Sequence, residues 1–296
     1  MDRPSSASTA SAARSPLLSM ADSSIGKVLL NMGKITPEQA ERVLRLQRDE
    51  GMRFGEAARS LGLISEADIQ QVLAHQFNYP YLQPGQGKFP VELVAAYQPF
   101  SAQVEVLRNV RSQLMLRWFA TGRKTLAIAS VNSKEGASLF AANLAVVFSQ
   151  QGENTLLVDA NLRTPRQHQV FGLKGKQGLS DVLAGRAHLA TTIANIDSFV
   201  DLSVLQAGTL PPNPQELVSR STFDDLVVAI AEPFDVVLFD TSSLSTGADA
   251  LAVAARAGGV LLVARKDVTS LTDLSNAATE LVRNGVEVVG SVMVDY

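Results

Sequence analysis

Residues 124–163 read KTLAIASVNSKEGASLFAANLAVVFSQQGENTLLVDANLR, and the fold is decided here. An apolar run over 124–130 ends at Ser130, and the polar loop VNSKEGAS follows it. A helical pattern near 138–151 then leads into a second apolar run, 154–159, that stops on Asp159. Continuous apolar runs are what strands buried on both faces require, and such strands are parallel ones covered by crossover helices. The same rhythm continues downstream. Further strands are expected at 201–206, 235–240, 258–265 and 286–294, and helices at 101–118, 221–231, 247–256 and 270–284. Alternating strands and helices with short connections predict an α/β domain with a doubly wound, mostly parallel sheet. Ligands of such sheets bind beyond the carboxyl ends of the strands.

The loop after the first strand is placed to receive an anion, because backbone N–H groups at the start of the next helix point into it. A complete phosphate-binding loop reads G-x-x-x-x-G-K-[ST]. Here Gly136 and Ser138 stand in place, Ala137 holds the position of the lysine, and Lys134 lies nearby at a different spacing. The loop backbone from Lys134 and Glu135 through Gly136, Ala137 and Ser138 is the candidate phosphate cradle. Asp159 and Asp240 end two apolar strands, and carboxylates so placed beside a loop serine can hold Mg²⁺ directly or through water. Ser138, Asp159 and Asp240 are therefore the candidate metal set, the two aspartates the candidate catalytic acids, and Arg163 a cation near them.

Composition narrows the partners. Twenty-six Lys and Arg against 29 Asp and Glu give a net charge of −3, so nothing points to nucleic acid. Absence of cysteine excludes a disulfide scaffold, a thiolate metal site and a cysteine nucleophile. No apolar run approaches the ~18–20 residues of a membrane span. The N-terminal stretch has no apolar core of a secretory signal. The expectation is a cytoplasmic protein that meets the inner membrane only through a partner.

The N-terminal third has its own logic. Residues 1–22, rich in Ser, Ala and Thr, read as a disordered tail. Residues 24–47 and 53–76 repeat at an offset of 29, identical at six of 24 positions: Gly26/Gly55, Gly33/Gly62, Ile35/Ile64, Val43/Val72, Leu44/Leu73 and Gln47/Gln76. Average composition would give roughly one or two matches. Thr36-Pro37-Glu38-Gln39 is a capping box with proline at the first helical position, and Ser65 with Asp68 repeats the cap. Gly33 and Gly62 fall where a helix end needs positive φ. A small all-helical repeat domain over 23–82 is expected, then a Gly/Pro-rich linker over 83–100, then the α/β domain over 101–296.

Several segments now combine into a specific resemblance. EVLRNVRSQL, AANLAVVFSQQGENTLLVDANLRTPRQHQVFGL, GLSDVLAG, VLQAGTLPPNPQELV and FDVVLFDTSS together make residues 101–296 resemble the bacterial tyrosine kinases. That family has a P-loop ATPase fold related to the MinD and ParA group. The G-x-x-P-P-N-P-x-E-L run at 208–217 is the most specific segment. Glu105, Arg108 and Arg111 match the family's E-x-x-R-x-x-R helix, which implies assembly into a homo-oligomer. With its repeat, the chain resembles the EpsG-type kinases of exopolysaccharide gene clusters. That type implies binding of ATP or ADP with Mg²⁺, and control of polymer length with a separate Wzz-like membrane chain-length determinant. The repeat is similar to the N-terminal domain of type II secretion and pilus ATPases, some of which bind cyclic di-GMP. Arg53 is present in the second unit, but Ser24 stands where the first would carry arginine. A docking role is expected ahead of cyclic di-GMP binding.

The departures from the family pattern gather at the nucleotide site. P-G-E-G-K-S becomes Ser133-Lys134-Glu135-Gly136-Ala137-Ser138, and D-x-D becomes Asp159-x-Asn161. D-T-P-P becomes Asp240-Thr241-Ser242-Ser243, Val294 replaces a base-contacting Asn, and of the C-terminal tyrosine cluster only Tyr296 remains. These changes imply a weakened kinase or pseudokinase. Two alternatives stay open: an active autokinase in which Lys134 or another group replaces the lysine, and a MinD/ParA-like or secretion-associated adaptor ATPase.

Overall fold

The computed structural model describes residues 24–76, 82 and 88–295. The expected tail and residues 83–87 of the expected linker lie outside them. Contacts divide the chain into two compact units, Met1–Pro80 and Tyr81–Tyr296.

In the first unit the repeat folds as helix pairs: α1 (Ser24–Asn31) with α2 (Pro37–Glu50), and α3 (Phe54–Ser60) with α4 (Glu66–Gln76). Both caps form. The Gln39 amide oxygen accepts from the Thr36 N–H at 2.8 Å while Thr36 Oγ1 accepts from the Gln39 N–H. Asp68 and Ser65 exchange the same pair of bonds. Gly33 and Gly62 end the first helix of each pair at φ 67° and 65°. Leu29, Val43, Phe54, Ala57 and Val72 bury the shared core. Gly55 is backed by Ile69, whose Cδ1 would lie 3.5 Å from an added Cβ. The space left by this glycine is thus taken by a helix–helix contact.

The second unit runs α5 (Val94–Tyr97), α6 (Ala102–Arg117), β1 (Thr125–Ser130), α7 (Ala137–Ser149), β2 (Thr155–Asp159), α8 (Gln167–Val170), α9 (Leu179–Leu183), α10 (Leu189–Thr192), β3 (Ala194–Asn195), β4 (Leu202–Leu205), α11 (Pro214–Val218), α12 (Ser221–Ala231), β5 (Val236–Asp240), α13 (Asp249–Ala257), β6 (Gly259–Arg265), α14 (Leu271–Arg283) and β7 (Glu287–Val294). The strands order as β3-β4-β2-β5-β1-β6-β7. All neighbours are parallel except the short β3–β4 pair. Successive β1 residues feed opposite layers: Leu126 and Ile128 pack with α6 and α7, Ala127 and Ala129 with the α12–α13 side. The expected doubly wound sheet is therefore present, with its strands covered on both faces.

The linker expectation needs correction over 88–100. Leu93, Ala95 and Ala96 are fully buried in the core of the α/β unit. The Asn143 side chain accepts from the Ala95 N–H at 2.9 Å and donates to the Glu92 carbonyl at 3.1 Å. Polar side chains of α7 thus satisfy the backbone of a segment that carries too little regular pattern to read alone.

Trp118, the single tryptophan, joins α6 to the sheet. Its ring is fully buried over Gly259, and its Nε1–H donates to the Thr125 carbonyl at 2.9 Å. A Cβ at Gly259 would come within 2.2 Å of that ring. Gly259→Ala is expected to cost about 1–3 kcal/mol by overpacking. Denaturation followed by the lone tryptophan's fluorescence checks this, with a red-shifted native spectrum as the ring is displaced.

Candidate functional site

The carboxyl ends of β1, β2 and β5 meet at one edge of the sheet. The loop after β1 holds an unusual backbone: Lys134 is left-handed at φ 68°, and Gly136 at φ 90° opens α7. A non-glycine residue rarely adopts this conformation, so the surroundings must hold it. Glu135 is buried and accepts from the Asn132 N–H at 2.9 Å and from Thr269 Oγ1 at 2.6 Å. Arg265 donates to the Lys134 carbonyl at 3.3 Å. The hydroxyls of Ser133, Ser243 and Thr246 bond to one another across the mouth of the loop. Three side chains beyond β5 and β6 therefore clamp the cradle from outside.

Behind the loop stand the two acids. Asp159 and Asp240 end β2 and β5 at the same register level, and both are fully buried. Asp159 Oδ2 accepts from the N–H groups of Arg166 and Gln167 at 3.0 and 2.9 Å. The Gln167 amide donates to Asp240 Oδ2 at 2.7 Å and to the Ser138 carbonyl at 2.9 Å. The Ser138 hydroxyl also bonds Asp240. One oxygen of each acid, Oδ1, has no hydrogen-bond partner among the described residues. Burial pushes Asp240 up to about 6, against the hydrogen bonds of Gln167 and Ser138. Burial, then the neighbouring Asp240 charge, pushes Asp159 well above the usual carboxylate range. Two orphaned carboxylate oxygens beside a serine hydroxyl suit a small hard cation, whose charge would replace the protons.

The loop after β1 and Ser138 border a cleft of about 540 Å³, while Asp159, Asp240 and Gln167 lie buried behind its lining. Lys134, Glu135, Gly136, Ala137, Ser138 and Arg163 all line it, as does Arg166, which sequence reasoning passed over. Arg163 is held by Asp249 of α13 in a two-toothed pair at 2.5 and 2.9 Å. Its guanidinium thus braces β2's loop against α13, and Asp159 and Asp240 have no hydrogen bond from it. Gln167, the link between the acids and Ser138, opens α8; it lies within a segment that carries the family resemblance but was not singled out as a site residue. Val294 is buried among core residues and is not part of the cleft lining. On α6, Glu105 pairs with Arg108 at 3.3 Å, while Arg111 donates to the Val147 carbonyl of α7 at 2.9 Å.

No family model matches the chain. It is 33% identical over 201 residues to the tyrosine-protein kinase YwqD of Bacillus subtilis, covering 68% of this chain and 84% of YwqD. It is 31% identical over 207 residues to the tyrosine-protein kinase Wzc of Salmonella typhi, covering 68% of this chain and 28% of that much longer protein. The kinase domain of the Escherichia coli tyrosine kinase ETK superposes with a TM-score of 0.67 at 27% identity, over 72% of this chain and 83% of that one. The Mg-ADP complex of MinD from Pyrococcus horikoshii, at 23% identity, shares the fold with a TM-score of 0.51 over 57% of this chain and 69% of that one. The fold is that of the P-loop NTPases of the MinD type, and the chain belongs to the bacterial tyrosine-protein kinases.

The buried pair sets a pH dependence. Both acids bind protons more tightly in the folded than in the unfolded state, so stability falls as pH rises from the ordinary aspartate value through Asp240's value of about 6. Asp240→Asn removes that penalty. The gap in melting temperature between Asp240→Asn and the parent should widen in the variant's favour between about pH 4 and pH 7. Thermal melts at several pH values check it; a constant gap contradicts the assignment.

Proposed function

We propose that this chain is a weakened bacterial tyrosine kinase of exopolysaccharide synthesis, one that binds Mg²⁺-nucleotide in the cleft and transfers phosphate slowly. The observation that carries this reading is Ala137. It lines the cleft at the first position of α7, nearly buried, where the family's lysine would stand. Ser138, Asp240 and Asp159 would hold Mg²⁺, and the N–H groups from Glu135 to Ser138 would hold the phosphates. The metal supplies charge neutralisation of the phosphoryl oxygens. Without a lysine, part of the charge that stabilises the transition state is missing, which can cost orders of magnitude in rate.

The setting follows from the family resemblance. The protein would act in the cytoplasm against the inner membrane, with a Wzz-like chain-length determinant as partner, and so influence polymer length. No helix among the described residues is long and apolar enough to cross a membrane, which fits a separate membrane partner. α6 would serve homo-oligomer assembly through Glu105 and Arg108, while Arg111 anchors the helix to α7. The repeat domain would be a docking module. Gly55 faces Ile69, which supports the expectation of docking ahead of cyclic di-GMP binding.

Turnover decides the main point. The full chain with Mg-ATP should hydrolyse and autophosphorylate far more slowly than a relative with an intact loop. Ala137→Lys should tighten nucleotide binding about tenfold, the worth of one charge-assisted phosphate contact. Wild-type turnover equal to the relative's would sink the weakened-kinase reading. Calorimetry of the full chain with cyclic di-GMP should give no binding heat. Tight binding lost in Arg53→Ala would make the repeat a second-messenger sensor.

A further inference from the structure

The missing lysine leaves a question of charge: a triphosphate in this cleft needs a cation from somewhere else. The basic side chains lining the cleft are Lys134, Arg163, Arg166 and Arg265. Arg163 gives Nε and Nη2 to Asp249, which turns that edge of its guanidinium toward α13. Arg265 reaches the carbonyl of Lys134 and so braces the cradle. Lys134 sits in the left-handed turn of the loop and has no bond to the acidic pair.

Arg166 shares with Lys134 an exposed side chain on the cleft lining and differs from it in its anchor. Its backbone N–H is fixed to Asp159 Oδ2 at 3.0 Å, so its Cα is pinned beside the acids. Its side chain is exposed, lines the cleft and forms no salt bridge among the described residues. Its charge is near enough to Asp240 to favour the ionised carboxylate. The next residue, Gln167, ties that same acid to the loop after β1. A guanidinium offers a planar fork of donors matched to phosphate oxygens, which an ammonium lacks.

We propose that Arg166 is the phosphate-neutralising cation of this site, supplied from the loop after β2 in place of a lysine at the head of α7. This rests on the reading of the cleft as a nucleotide site. Arg166 would meet the terminal phosphates, since it is anchored at the acidic end, where Mg²⁺ would sit. It is thus a binding residue that the loop motif by itself does not contain.

The test is a titration of the full chain with a fluorescent ATP analogue and Mg²⁺, repeated with the corresponding AMP analogue. Arg166→Ala should weaken ATP binding about tenfold or more and AMP binding by less than about twofold, as loss of one charged contact to the outer phosphates requires. Arg166→Lys should recover part of the loss. In an Ala137→Lys background, Arg166→Ala should cost clearly less, because the two cations would share one task. ATP affinity in Arg166→Ala within about twofold of wild type would overturn the proposal alone. Equal losses for ATP and AMP would also overturn it, since that is the mark of a disturbed loop. A wild-type chain that binds no ATP would overturn the nucleotide reading and this proposal together.

Discussion

Two carboxylates buried level with each other on adjacent strands cannot both be charged without compensation. Much of the second unit can be understood from that constraint. The chain leaving β2 turns so that the N–H groups of Arg166 and Gln167 meet Asp159. The Gln167 side chain then crosses to Asp240 and to the first turn of α7. One residue, through its backbone N–H and its side-chain amide, therefore ties together the ends of β2 and β5 and the helix that starts the cradle. The oxygens left over, Oδ1 of each acid, are buried without a hydrogen bond among the described residues, so the compensation is incomplete.

The sheet was legible because burial on both faces writes a strand as an unbroken apolar run. The expected strands at 124–130, 154–159 and 235–240 fall within a residue of β1, β2 and β5. The repeat was legible for a different reason, since its caps use residues three apart in sequence and need no distant partner. What escaped depends on distance in the chain. Residues 88–100 look like a linker until Asn143, some fifty positions away, accepts from their backbone. Two-residue β3 is too short to show alternation. Arg163 was read as a cofactor-binding cation near the acids, and its ion-pair partner, Asp249, lies 86 residues on. A charge's identity is local, but its partner is set by topology.

The most specific sequence motif turns out to lie away from the cleft lining. Gly208 opens the P-P-N-P segment at φ 80° with its backbone against Gly178, and a Cβ on Gly178 would come within 2.2 Å of the Gln206 carbonyl oxygen. Asp181 of α9 accepts from the N–H groups of Gly178 and Thr209, locking the two segments together. GLSDVLAG and the proline run are thus two halves of one backbone contact. The role these two segments have in this chain is packing.

That separation bears on how the loop tolerates its substitutions. A lysine at φ 68° costs on the order of 1–2 kcal/mol relative to a glycine. The buried Glu135 carboxylate, with its bonds to Asn132 and Thr269, holds the turn regardless. Ser133, Ser243 and Thr246 add a hydroxyl cluster that joins the loop to the segment after β5. The cradle keeps its shape through contacts that do not involve position 137. The Ala137 side chain takes part in none of these bonds, so the shape of the loop does not depend on a long side chain at that position.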